Sequence, residues 1–250
     1  MIGYSLWADH VVVRGVGRIG VLFENLKADL ARCGETTGQR VREVLFNSGM
    51  WAVLGYRFRY WAVTRDWFGG IQRPLNFLAS LVGLMVEVTT NITLPITAQI
   101  GPGLYIAHTG YIVVAKGTSI GRHCTLTQGV TIGHGGGGTK SASGGVPVLG
   151  NRVYVGPGAA IIGPIEVGDD ALIGVGAIVT RSVPPRGVAV GNPARVRSVK
   201  GSFDLITYPG MDQDLQRLAS HMLAQEEMAT QAPANPGDSQ RTTSGSDGDV

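Results

Sequence analysis

The sequence predicts a mainly β protein: a parallel β-helix preceded by an α-helical N-terminal region. Two observations predict the β-helix. An aliphatic residue recurs every six positions, and glycines concentrate between residues 100 and 176. A third observation predicts the helices, because apolar residues before residue 90 are spaced three and four apart.

Composition limits the class of protein before any element is assigned. The chain has 250 residues and is 44% hydrophobic, which is enough for one or two globular domains. Its net charge is +3 with no block of lysine or arginine, so we expect no nucleic-acid partner. Cys33 and Cys124 have no metal or redox spacing, so no metal is expected. The N-terminus lacks a signal-peptide pattern, and we expect a cytoplasmic location.

Three helical segments are predicted in the N-terminal region. Helical periodicity is found at 19–32, and a longer aromatic-rich helical stretch covers 41–63. Residues 74–88 form the most apolar window, with Pro74 at its N-terminal edge. That window is shorter than the roughly 20 residues of a membrane-spanning helix, so we interpret it as a packed helix. Peripheral membrane contact stays open.

The six-residue repeat is the strongest signal in the sequence. Glycine often follows the repeating aliphatic residue, and the fourth residue after it is usually small or apolar, as at Cys124 and Ala159. Three such units would close a triangular coil of 18 residues, and stacked coils would bury a ladder of aliphatic side chains. Two insertions separate three blocks of the repeat, which are Ile100, Ile106 and Ile112; Ile120, Leu126 and Ile132; and Leu149, Val155, Ile161, Val167, Ile173 and Val179.

Four regions follow from these patterns. We expect a helical N-terminal region at 1–90, a hexapeptide-repeat β-helix at 91–200, and a C-terminal extension with a helix at 201–229. The polar residues at 230–250 are rich in Pro, Gly, Ser and Thr, which predicts a disordered tail.

The repeats resemble the hexapeptide-repeat acyltransferases, and most closely the serine O-acetyltransferases. The residues concerned are "IGPGLYIAHTGYIVV" (100–114), "GVTIGHGGGG" (129–138) and the closing "VGNPAR" (190–195). The resemblance covers roughly residues 20–200. It implies a left-handed β-helix that assembles as a homotrimer or a dimer of trimers and binds acetyl-CoA as co-substrate between subunits.

His108 is the candidate catalytic residue. In the family, a histidine in this setting is the general base that removes a proton from the acceptor hydroxyl as its oxygen attacks the thioester. A neutral imidazole suits this role near pH 7. We expect His108 to lie near a turn or to face outward. The alternative is a structural histidine bonded to a neighbouring carbonyl.

Two positions depart from the family pattern. The family's aspartate before the catalytic histidine is Ala107 here, and its second histidine, which precedes a proline, is Val146. In the serine enzymes these groups hold the charged ends of the amino acid. Their loss therefore argues against serine as acceptor more than against acyl transfer.

The remaining candidate residues concern ligand contacts. For acetyl-CoA the resemblance indicates the turns containing Gly156, Gly158, Ala159, Gly174, Gly176 and Ala177. The basic residues Arg195, Arg197 and Lys200 can face the nucleotide phosphates. His134 and Lys140, in a long Gly/Ser insertion, can reach a bound ligand, unless this loop makes no specific contact. We expect His123 to be solvated surface.

Three functions are compatible with these observations. We favour an acetyl-CoA-dependent O-acetyltransferase whose acceptor is a sugar or polysaccharide hydroxyl. The second is a serine O-acetyltransferase of cysteine synthesis with a substituted acceptor site. The third is a non-catalytic β-helix that serves assembly or binding.

Overall fold

The computed structural model describes residues 19–65, 69–108, 110–135 and 145–231. In these residues, four helices precede the β region: α1 (Ile19–Ala31), α2 (Thr37–Phe46), α3 (Ser48–Thr64) and α4 (Gln72–Thr90). A 3-10 turn at Gly69–Ile71 leads into α4. The helix α5 (Leu215–Gln231) follows the β region. From residue 232 onward, the predicted tail lies outside the described residues.

The stretch predicted as one helix at 41–63 is two helices, and that prediction is wrong in this respect. Asn47 separates α2 from α3 with an extended backbone conformation (φ −98°, ψ 107°). Its side-chain oxygen accepts a hydrogen bond from the Gly49 amide at 2.8 Å, which caps α3. Asparagine is among the strongest N-capping residues, so a new helix begins here.

Within the described ranges, fifteen short strands form three parallel sheets, with one antiparallel pair at the end. We name them faces A, B and C. Face A contains β1 (Ile92–Thr93), β4 (Ile112–Val114), β7 (Thr131–Gly133), β10 (Ala160–Ile162) and β13 (Ile178–Val179). Face B contains β2 (Gln99–Ile100), β5 (Ser119–Ile120), β8 (Val148–Leu149) and β11 (Glu166–Val167). Face C contains β3 (Tyr105–Ile106), β6 (Thr125–Leu126), β9 (Tyr154–Val155), β12 (Leu172–Ile173), β14 (Val188–Val190) and the antiparallel β15 (Arg195–Ser198).

The chain passes through faces A, B and C in turn and then begins the next coil. Each strand pairs with the strand one coil away, as Ile106 with Leu126 and Leu126 with Val155. The turns therefore stack into three edges, which we call the A–B, B–C and C–A edges after the faces that they connect. The predicted parallel coil is present in the described residues.

The core of the coil is a ladder of aliphatic side chains. All twelve repeating residues predicted from the sequence are buried, from Ile100 to Val179. The small residues four positions later, such as Cys124, Ala159 and Ala177, are also buried. Interior packing at near-crystalline density leaves no room to vary these positions, which explains the strict period.

The register of the first coil differs from the expectation. In face A, Val114 pairs with Ile132, whereas Ile112 pairs with Ile92. Val114 therefore occupies the position of the repeating residue, and the step from Ile106 is eight residues instead of six. The sequence placed the insertion after Ile112, which is wrong; the two extra residues lie in the turn between β3 and β4.

No helix in the described ranges is long and apolar enough to cross a membrane. The segment predicted from 74–88 is α4, which packs Ala79 and Gly83 inward.

Candidate functional site

The C–A edge contains the predicted catalytic histidine. His108 directly follows β3 in the enlarged turn, and its side chain is exposed. The residue therefore lies in a turn, as expected. No hydrogen bond joins its ring to another residue in the part of the chain that the structure describes. An exposed, unpaired imidazole has a free nitrogen that can accept a proton.

The N-terminus of α3 packs against the residues that lead into this turn. The Asn47 side-chain amide donates to the carbonyl oxygen of Ile106 at 3.4 Å. A Cβ atom at Gly49 would lie 2.6 Å from the same oxygen, so only glycine permits this approach. The residues immediately before His108 are therefore held between the helix and the next coil.

Two glycine turns lie on the same edge, in the third and fourth coils. Gly158 (φ +67°) and Gly176 (φ +63°) occupy left-handed positions, and an added Cβ would meet nothing within 4 Å at either. A Cβ at Gly156 would lie 2.8 Å from the Ile173 carbonyl oxygen, and one at Gly174 would lie 2.6 Å from Val190. Coil stacking therefore requires Gly156 and Gly174, whereas Gly158 and Gly176 leave open space outside the edge.

The alanines of these turns face the other way. Ala159 and Ala177 are fully buried in the core ladder. The Ala159 amide donates to Gly156, and its carbonyl accepts from Thr131. Their side chains therefore shape the turn from within and present no surface to a ligand.

The A–B edge contains the other loop candidates. His134 follows β7 and is exposed, and Val146, half-buried, precedes β8. Lys140 lies outside the described residues. His108 lies on the C–A edge and His134 on the A–B edge, and face A separates these two edges. The structure therefore does not bring the two histidines together within one chain.

The basic residues after the coil are exposed. Arg195 begins β15, and Arg197 lies in the same strand. Lys200 forms an ion pair with Asp204 at 3.1 Å, with both side chains more than half exposed. Because Asp204 partly neutralises the charge of Lys200, Lys200 attracts a phosphate less strongly than Arg195 does.

The B–C edge is covered by other parts of the chain, beginning with the N-terminal helices. Asp29 is fully buried and pairs with Arg57 at 2.8 Å. Its Oδ1 also accepts from the amides of Gly103 (2.8 Å) and Leu104 (3.0 Å). Arg32 donates to the carbonyl oxygens of Gly103 and His123. These contacts fix the helices to the first two turns of this edge.

The C-terminal extension covers the lower turns of the B–C edge. The buried Arg217 pairs with Asp170 at 2.7 Å and donates to the Ile206 carbonyl at 3.0 Å. Asp170 also accepts from Arg152. A buried pair with several hydrogen bonds of this kind is costly to break. The extension is therefore fixed to the coil.

His123 lies within this covered edge, so the expectation of a solvated surface residue is wrong. Its ring stacks on Tyr208 with centroids 4.3 Å apart. Its Nδ1 is enclosed and has no partner among the described residues. Burial, with a smaller contribution from Arg32, lowers the pKa of His123 to about 4. The imidazole is therefore neutral at pH 7 and part of the packing.

Sequence patterns do not reveal the residues that fix the N-terminal helices and the C-terminal extension to the B–C edge. Asp29 and Arg57 share their helices with other charged residues, such as Lys27 and Arg59, so no local pattern distinguishes them. Arg217 is one of many charged residues in its segment and gave no signal.

Comparisons with known proteins agree with this arrangement. No family model matches the chain. The serine acetyltransferase of Helicobacter pylori is 38% identical over 152 residues, which are 61% of this chain and 82% of that protein. The serine acetyltransferase of Mycobacterium tuberculosis is 34% identical over 157 residues, which are 62% of this chain. The chain spans 63% of the length of the M. tuberculosis protein.

Solved structures show the same likeness. The soybean serine acetyltransferase apoenzyme has a TM-score of 0.59 and 28% identity, covering 71% of this chain and 69% of that chain. The soybean enzyme complexed with serine has a TM-score of 0.57 and 27% identity, covering 71% and 70%. The fold and the relatives together define a protein of the hexapeptide-repeat transferase class. Because it is 38% identical to the H. pylori serine acetyltransferase over 82% of that protein, the chain belongs to the serine acetyltransferase family.

Proposed function

We propose that this protein is an acetyl-CoA-dependent O-acetyltransferase with His108 as its general base. One observation carries the proposal. The eight-residue step from Ile106 to Val114 enlarges a single turn of the C–A edge, and this turn contains an exposed histidine. The same edge presents bare glycine turns below it.

In the proposed reaction, His108 accepts a proton and the C–A edge positions the reactants. The neutral imidazole of His108 accepts the proton of the acceptor hydroxyl while the hydroxyl oxygen attacks the thioester carbonyl. The C–S bond then breaks, the acetyl group stays on the acceptor oxygen, and CoA leaves as the thiol after taking up a proton. Backbone N–H groups in the glycine-rich turns would stabilise the negative charge on the carbonyl oxygen.

The open space at Gly158 and Gly176 supports a binding path for acetyl-CoA along the edge. Side chains at these two positions would project into that path, and glycine leaves it free. Gly156, Gly174, Ala159 and Ala177 would contribute by setting the shape of the two turns. Arg195 is the stronger candidate for a phosphate contact, because Lys200 is paired with Asp204. His134 and Lys140 remain proposed contacts of the insertion loop.

The relatives favour serine as the acceptor and give no support to the saccharide preference expected from the sequence. The similar proteins are serine acetyltransferases, and one of them, from soybean, is complexed with serine. A saccharide hydroxyl is kept as the second candidate on one observation. Ala107 and Val146 stand where the family has an aspartate and a histidine, so groups that would hold an amino acid's charged ends are missing.

CoA-thiol release from acetyl-CoA tests this proposal directly. The acceptors are L-serine and a panel of mono- and oligosaccharides. We expect release with at least one acceptor, and a loss of at least about 100-fold in His108→Ala, the usual contribution of general-base catalysis. The control is His221→Phe, which removes an imidazole but keeps the stacking on Phe203. Unchanged turnover in His108→Ala would contradict the proposal.

Assembly is the second part of the proposal: a left-handed coil that forms a homotrimer or a dimer of trimers. The exposed face of α4 supports an interface between copies. Six large apolar side chains there are between 39% (Leu81) and 73% (Phe77) exposed. They are Phe77, Leu78, Leu81, Leu84, Met85 and Val88. Exposed apolar patches of this size mark interaction sites.

The spacing and area of this face suit a second copy. Phe77, Leu81, Leu84 and Val88 alternate by four and three residues, as in helix-pairing seams. Two such faces would bury on the order of 1,200 Å², which is enough for a specific interface. Light scattering should give a mass of three or six times 26.3 kDa. Because a pairwise contact of α4 faces would join two trimers, Leu84→Arg should reduce six times to three times, and the control Ser80→Arg should keep six times. An unchanged mass in Leu84→Arg would rule out this face.

A further inference from the structure

Gln128 lies directly below the histidine turn on the C–A edge. It belongs to the turn between β6 and β7. The next residue, Gly129, donates to the carbonyl oxygen of Gly110 in the histidine turn at 3.2 Å. On its other side, Gly158 donates to the Gln128 carbonyl oxygen at 2.9 Å. Gln128 therefore lies between the proposed base and the proposed acetyl-CoA turns.

The side-chain oxygen of Gln128 is a hydrogen-bond acceptor that is not used among the described residues. This atom, Oε1, is enclosed and has no partner in those residues. An enclosed amide oxygen without a partner is destabilising and uncommon in native proteins. A ligand that donates a hydrogen bond at this point would remove the destabilisation.

The coil itself does not require glutamine here. The amide of Gly176 donates to the carbonyl oxygen of Pro157, as that of Gly158 does to Gln128. Pro157 and Val175 therefore occupy the equivalent turn positions of the next two coils, and both are apolar. The turn accepts side chains without hydrogen-bonding groups, so a polar one at 128 needs another explanation.

The absence of a carboxylate at position 107 suggests why residue 128 is polar. Ala107 leaves the histidine turn without the acidic group that the family pattern has there. An amide oxygen accepts a hydrogen bond from an ammonium or a hydroxyl group, but carries no charge. We propose that the Gln128 side chain binds the acceptor through a donor group next to the reactive hydroxyl, and so directs that hydroxyl towards His108. This inference rests on the proposed function.

The hydrogen-bond donor that Gln128 would bind can belong to either of two acceptors. It is the ammonium group of serine or a neighbouring hydroxyl of a saccharide. Steady-state kinetics of CoA-thiol release in Gln128→Ala and Gln128→Glu distinguish them. L-serine is compared with 3-hydroxypropionate, which lacks the ammonium group, and a reactive hexose with its deoxy analogue. Gln99→Ala is the control, because Gln99 is exposed on face B.

We expect Gln128→Ala to raise the KM of the acceptor about tenfold, the effect of losing one hydrogen bond. The KM of acetyl-CoA should stay within about twofold, and the analogue without the donor should lose nothing further. Gln128→Glu should keep binding of either acceptor, because a carboxylate accepts hydrogen bonds from hydroxyl and ammonium groups, and it should lower the KM of serine below the wild-type value because it also attracts the ammonium charge.

Four results would overturn the inference. An unchanged acceptor KM in Gln128→Ala contradicts it, and so does an equal loss with the analogue that lacks the donor. A rise only in the KM of acetyl-CoA would assign the amide to the co-substrate instead. Absence of thiol release in the wild type with every acceptor would contradict the proposed function itself, and this inference with it.

Discussion

The C–A and B–C edges use the same turn geometry for opposite purposes. The left-handed position on the C–A edge is glycine in the second, third and fourth coils, at Gly129, Gly158 and Gly176. On the B–C edge it is glycine in the first coil, at Gly103, but His123, Arg152, Asp170 and Arg186 in the next four, with φ between 55° and 60°. Side chains in this conformation cost roughly 1–2 kcal/mol each compared with an ordinary one. Glycine avoids this cost and leaves the C–A edge bare.

The side chains of the B–C edge offset that cost by their contacts. His123 stacks on Tyr208, Arg152 pairs with Asp170, and Asp170 binds Arg217. They hold the C-terminal extension in place. The comparison indicates that the B–C edge binds the N-terminal helices and the C-terminal extension, whereas the C–A edge is left bare and is the proposed ligand edge.

Breaking the Arg217–Asp170 contact should have the largest effect on stability. Removal of one partner of a buried pair costs about 3–5 kcal/mol, and we expect the lower end for Arg217→Met because Asp170 keeps Arg152. Urea unfolding measures the change. Acetyl transfer per folded molecule should not change.

The matched control for this variant is Asp204→Asn, which breaks the exposed Lys200–Asp204 pair and should cost less than about 1 kcal/mol. Equal destabilisation by both variants would show that the extension is not fixed by Arg217.

Substitution of Gly158 should affect both stability and binding. Gly158→Val forces a branched side chain into φ +67° and fills the open space, so we expect about 1–2 kcal/mol of destabilisation and a roughly tenfold rise in the KM of acetyl-CoA. Gly210→Val is the control, since Gly210 has φ +81° and open space but lies in the C-terminal extension. If both variants raised the KM, strain alone would be the cause.

A smaller effect should appear as a dependence of stability on pH. The pKa of His123 is lowered to about 4 in the folded chain, against 6.5 for an ordinary histidine. The unfolded chain therefore binds more protons between these values, so stability should fall as pH decreases from 6.5 and level off below 4. His123→Phe, which retains a ring, should show a shallower fall in melting temperature. An identical pH profile would mean that His123 is charged in the folded chain.

The sequence predicts the coil well because its period is set by interior packing. Ile120 and Leu149 must fill the same space in successive coils, and their spacing reveals this. The enlarged turn could not be located in the same way. Ile112 is as buried and aliphatic as Val114, so it fits the six-residue spacing although Val114 occupies the ladder position.

The covered edge was missed for a different physical reason. Asp29 contacts Gly103 across 74 positions of the chain, and Arg217 contacts Asp170 across 47. No local pattern reports such pairs, and His123 is polar enough to suggest solvent when considered alone. His108 was found because its residue type is unusual in an apolar run and because its neighbours resemble a known pattern.

Hydrogen exchange with and without acetyl-CoA tests the division between the two edges most directly. We predict slower exchange on addition of acetyl-CoA in the C–A turns at 127–130, 156–159 and 174–177. The B–C turns at 121–124, 150–153 and 168–171 should not change. Slower exchange confined to the B–C turns would contradict the account, because the edge with the bare glycines would then not be the ligand edge.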